Sequence, residues 1–197
     1  MRRFGTVAVL ALTLTPAPAA ADEVLEQLDA ARELYLEGEL SQAIGELEFA
    51  IQAIRGRTGE LYAQTFPAPP GGWSAGEVDV QSGLPGMGGQ MLSRRYDGPD
   101  GAWIEAELMV DNPMMQAFGA LLQNPALLAI QPNAERVRVH GTHAILQWPG
   151  DGSGELMLIL GGRLLLKLDG YGLATKNDLL ELLAAWDVAT LRQVAGP

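Results

Sequence analysis

His140 and His143 stand on either side of a Gly-Thr step. With Glu135 they make up the two-histidine, one-carboxylate set from which a protein can build a metal site that activates water. A metal-dependent hydrolase built on these three residues is one functional expectation. The competing expectation is a hairpin turn whose two rings point to different faces, because histidines spaced this way around a turn arise readily without a metal. Methionine is the other candidate ligand, since thioethers bind Cu(I). The pairs are Met87 with Met91 and Met114 with Met115. They are sparser than the runs of dedicated copper proteins, so core filling by flexible side chains explains them better.

Other short patterns fail on register. The glycine-rich Gly83 to Gly89 is followed by Gln90-Met91-Leu92-Ser93, not by the Lys-Ser/Thr and helix of a phosphate loop. Gly150-Asp151-Gly152-Ser153-Gly154 lacks the GxSxG spacing of a nucleophile elbow. Glu105 and Glu107 lie two apart, on one side of a strand, where a solvated outer face is the simplest reading. Asp97 to Gly101 lacks the repeated acidic ligands of a calcium loop. The expectation is a non-enzymatic protein without a cofactor.

The elements that position these residues fall into two groups. Leu25, Leu28, Ala31, Leu34 and Tyr35 recur at helical spacing, and so do Leu40, Ala43, Ile44, Leu47, Ala50, Ile51 and Ile54. They predict two helices within residues 23–55, with Gly38 at the turn between them. Ala31, Leu34, Gly38, Leu40, Ala43, Leu47 and Ala50 resemble one tetratricopeptide (TPR) repeat, with Gln27 where that family often has Trp. The resemblance implies a helical hairpin in which small residues allow close packing and large ones fill the interface.

The Pro- and Gly-rich stretch 66–72 cannot continue a helix and predicts a semi-rigid connector. From Trp73 the period changes to that of strands: one near Val78 to Val80, then 91–96, 103–110, 135–140, 142–148, 155–160 and 163–169. A helix opened by Asn112 and Pro113 interrupts them, and a last one starts at Thr175, burying Leu179, Leu182, Leu183 and Trp186. The order is β-β-β-α-β-β-β-β-α. Its short connections predict an α+β fold, with a mainly antiparallel sheet of six or seven strands and helices on one side. This topology resembles the PsbP/Mog1-like group of α+β domains, many of them exported.

The N-terminus supplies an address. Arg2 and Arg3 precede a short apolar run, Val7 to Leu14, and a small-residue stretch that offers cleavage after Ala19 or Ala21. The run is too short to stay in a bilayer. The expected organisation is a signal peptide over 1–21, a TPR-like hairpin over 22–65, the connector over 66–72 and the α+β domain over 73–197. The expected location is periplasmic or secreted, with no stable membrane anchor after cleavage. The net charge is −11, and removal of Arg2 and Arg3 makes it −13. Such a surface repels phosphate backbones, so nucleic acid is not an expected partner. The chain has no cysteine, which excludes disulfides, thiolate metal sites and lipid attachment at an N-terminal cysteine.

Function then rests on apolar surface. In the helix from Pro113, Met114, Phe118, Leu121 and Leu122 form one stripe, while Met115, Ala117, Gly119 and Ala120 cover much of the remainder. No charge occurs between Asn112 and Ala134. The expectation is an accessory or adaptor protein of the bacterial envelope that binds a protein partner, with Leu34, Leu47, Met114, Met115, Phe118 and Leu122 as contacts. The alternative is a binder of an apolar small molecule or lipid, with its cavity beneath 113–130.

Overall fold

The computed structural model describes residues 19–82, 89–111 and 132–196. By internal contacts the chain forms two compact units, one ending at Ile51 and the other starting at Gln52.

The first unit is a helical hairpin. Helix α1 (Ala19–Glu37) turns at Gly38 into helix α2 (Leu40–Ala63), which runs on into the second unit. Gly38 takes φ 84°, and the Glu39 amide bonds back to the Leu34 carbonyl at 2.9 Å, closing the end of α1 as left-handed glycines do. The side chains that become buried here are Val24, Ala31, Ala43 and Ala50. Three of these four are alanines, so little apolar area is removed from water.

The second unit is an antiparallel sheet with helices on one side. The strands are β1 (Ser74–Ala75), β2 (Asp79–Ser82), β3 (Gln90–Asp97), β4 (Trp103–Val110), β5 (Ala134–Val139), β6 (Thr142–Gln147), β7 (Gly154–Leu160) and β8 (Leu164–Tyr171). They lie in the order β1-β3-β4-β8-β7-β6-β5, with β2 also paired to β3, and every pairing is antiparallel. The α+β class holds, with eight strands among the described residues in place of six or seven.

Strict alternation decides which face is buried. Ile104, Ala106, Leu108 and Val110 of β4 align with Gly170, Leu168, Leu166 and Leu164 of β8, and all but the glycine supply side chains to one core. Two short helices, α3 (Asn177–Ala184) and α4 (Val188–Ala195), supply Leu179, Leu182, Leu183, Val188 and Leu191 to it. The terminal helix expected from Thr175 is therefore two helices. Trp186 sits between them, still buried, and Asp187 caps the second by accepting from the Thr190 amide at 3.0 Å. At the start of the first, the Thr175 amide donates to Asp178 and the Asn177 amide donates to the Thr175 hydroxyl.

Helix α2 also continues eight residues past the expected end at Arg55. Gly59 allows it: a Cβ there would meet Val80 at 2.8 Å, so only glycine lets this turn approach β2. Buried Gln90 fastens the same turn, donating to the Arg55 carbonyl at 2.6 Å and accepting from the Thr58 hydroxyl at 3.2 Å. The connector is bound as well. The Pro67 carbonyl accepts from the Tyr96 hydroxyl at 2.7 Å, and burial pushes the Tyr96 pKa up to about 12.

Candidate functional site

The hairpin presents what its core does not use. Leu36 is 73% exposed, Tyr35 66%, Ile44 57% and Leu47 43%, and Leu25, Leu28, Leu40 and Phe49 are exposed too. The helical spacing found in the sequence is real, but the faces it marks are largely in water. Soluble chains seldom leave so continuous an apolar surface without a use. Between the two helices lies a groove of about 500 Å³, lined by Leu28, Ala31, Arg32 and Tyr35 of α1 with Leu40, Ala43, Ile44 and Leu47 of α2. Leu47 therefore lies at the groove, whereas Leu34 is half-buried and not among its lining residues.

The other four expected contacts, Met114, Met115, Phe118 and Leu122, fall outside the described residues, as does the cavity expected beneath 113–130. The same holds for Met87.

His140 and Gly141 form the two-residue turn between β5 and β6, with φ 51° and 73°. Both positive angles belong to a type I′ turn, which matches strand twist. The His140 Nε2–H donates to the Leu183 carbonyl of α3 at 2.9 Å, so this ring is bound on the helical side of the sheet. His143 is exposed and aligned with Arg138, while its neighbour Ala144 faces the core. The two histidines thus point to opposite faces. Glu135 is engaged elsewhere, accepting from Lys176 at 2.5 Å. Lys176 lines a shallow recess of about 590 Å³ with Trp148, Asp151, Gly152, Leu173 and Thr175. Among the described residues, no group of three His, Cys, Asp or Glu side chains is placed to hold a metal.

The sheet's other face carries a charged cluster that the sequence reading missed. Lys167 stands opposite Glu107 across β4 and β8, and Glu155 stands opposite Asp169 across β7 and β8. The Lys167 ammonium lies 2.5 Å from Asp169, 3.5 Å from Glu155 and 3.9 Å from Glu107. Burial pushes the Glu107 and Glu155 carboxyls above the usual range, against the pull of Lys167. Burial works against the Lys167 charge as well, but the surrounding carboxylates outweigh it and raise its pKa. Glu107 is therefore half-buried, not part of a freely solvated face. The signal was present in the alternation of Glu105 with Glu107 and of Lys167 with Asp169, but only strand register joins them. Along the same face Arg95 covers the Trp103 ring at 4.6 Å, and Trp103 stacks beside Tyr171 at 6.2 Å.

No protein-family model, curated protein or solved structure matches the chain. No helix among the described residues is long and apolar enough to cross a membrane.

Proposed function

We propose that this protein is an exported, non-enzymatic accessory or adaptor protein that acts by binding another protein through the groove of its helical hairpin. The observation that carries this reading is an inversion of ordinary packing. The hairpin buries only Val24 and three alanines, while Leu28, Tyr35, Leu40, Ile44 and Leu47 face water around a concave apolar surface. A helical partner with residues at i, i+3, i+4 and i+7 can fill such a groove, burying area the chain cannot bury alone. Each large side chain fully covered contributes about 1.5–3 kcal/mol before the costs of association. Export to the envelope is read from Arg2, Arg3 and the apolar run that follows them.

The test is site-specific photo-crosslinking in cells that export the chain. A photoreactive residue at position 44 or 47 is expected to give a discrete adduct, identified by mass spectrometry. The same residue at exposed position 143 is expected to give none. Equal yields at all three positions, or none anywhere, would reject the groove as the working surface.

A further inference from the structure

We infer that the occupant of the hairpin groove is a cationic amphipathic helix; this rests on the docking role proposed above and specifies its partner. The stretch from Glu23 to Ile51 carries eight carboxylates, and Arg32 is its one basic residue. Asp29 and Glu33 stand one position beyond the groove residues Leu28 and Arg32 on α1, and Glu48 stands one beyond Leu47 on α2. The apolar groove thus belongs to a hairpin of strongly negative charge. A partner carrying Lys or Arg beside its apolar stripe gains attraction during approach and meets opposite charge once docked.

The same charge decides against a second copy of this chain. Two hairpins packed groove to groove would bring sixteen carboxylates together against two arginines, and like charges brought together oppose association. Nor does an acidic or neutral helix exploit what surrounds the groove. Arg32, which lines the groove itself, is the one element that disfavours a cationic occupant.

The experiment uses the full mature chain and two fluorescent peptides of about 18 residues with identical leucine stripes. One has lysine at the positions outside that stripe and its counterpart has glutamate there. Fluorescence anisotropy at low salt is expected to show the lysine peptide binding at least tenfold more tightly. An Ile44→Ser/Leu47→Ser variant, neutral and confined to exposed positions, is expected to lose that binding while keeping its circular dichroism. Arg32→Gln is expected to tighten it several-fold. If both peptides bind equally and both are lost in the serine variant, the groove stands and the cationic partner is refuted. If the lysine peptide binds the serine variant undiminished, attraction is diffuse and the docking groove itself is refuted. If sedimentation shows a dimer that the serine variant disperses, the occupant is a second copy and the inference fails.

Discussion

The indole N–H of Trp186 donates to the Thr65 hydroxyl at 3.2 Å, linking residues 121 positions apart. The hydroxyl in turn donates to the Tyr62 carbonyl at 2.6 Å, and the Asp187 amide donates to the Thr65 carbonyl. The Phe66 ring packs 4.5 Å from that of Trp186. The end of α2 is thereby tied to the junction of α3 and α4, through a polar group that is itself buried.

Thr65→Val keeps the shape of the side chain but leaves the buried indole N–H without an acceptor. It is expected to cost about 1–3 kcal/mol, whereas Thr65→Ser costs less because the hydroxyl remains. Urea unfolding followed by tryptophan fluorescence measures both. Equal stability of all three proteins would show that this bond contributes nothing.

Stability should depend on pH through the cluster at Lys167. Glu107 and Glu155 bind protons more readily folded than unfolded, because burial raises them first. Each therefore lowers stability as pH rises from the ordinary value of 4.5 through its own raised value. Asp111 acts in the opposite sense. Hydrogen bonds from Arg163 hold it low, so its contribution is present above 3.8 and disappears as pH falls through its folded value. A mildly acidic optimum follows. Lys167→Met removes the ammonium that offsets three carboxylates and is expected to cost about 2 kcal/mol at neutral pH, less than for a fully buried pair. The deficit should shrink towards pH 4.5 as the carboxyls protonate. A deficit independent of pH in thermal melts would refute the electrostatic account.

Gln27 offers a gain. Its Oε1 is buried without a hydrogen-bond partner. Gln27→Leu removes that desolvated acceptor at similar volume and is expected to stabilise the hairpin by about 1 kcal/mol. The helical signal at 222 nm should then persist to higher temperature. A loss of stability would mean that the amide makes a bond in solution.

His140→Ala removes the bond to the Leu183 carbonyl and places alanine at a positive φ, so a loss of roughly 1–2 kcal/mol is expected. Added zinc is expected to leave the melting temperature of wild type and variant alike unchanged, since ligand binding to the folded state would raise it. A zinc-dependent rise in wild type, absent from the variant, would restore the metal reading.

How far the sequence could be read depended on whether the deciding force was local. Strand β4 is legible to both its ends, Trp103 and Val110, because every second residue enters the core. The hairpin around Gly141 is legible from the strands on both sides, but its turn is His140-Gly141 and not Gly141-Thr142, because Val139 pairs with Thr142 and His140 takes a positive φ that its residue type does not announce. Helix α2 past Arg55 is not legible, since Gly56, Thr58 and Gly59 weaken local propensity and the helix is held there by Gln90, a residue of β3. The Lys167 cluster needs three strands in register before it exists. For the hairpin, periodicity revealed two apolar faces and could not tell whether this chain or another molecule covers them. Four of the six expected contacts lie outside the described residues, so the candidate site is the part that Leu47 marks.

Helix α2 belongs to both units, changing allegiance between Ile51 and Gln52. Its two ends should therefore keep different clocks. Amides from Gln52 onward open only when the sheet's core gives way, while those before Ile51 open with a hairpin whose buried side chains are mostly alanine. In deuterated water one continuous helix would exchange in two stages. Filling the groove should slow the first stage alone, so that occupancy is recorded as the merging of two exchange rates along a single helix.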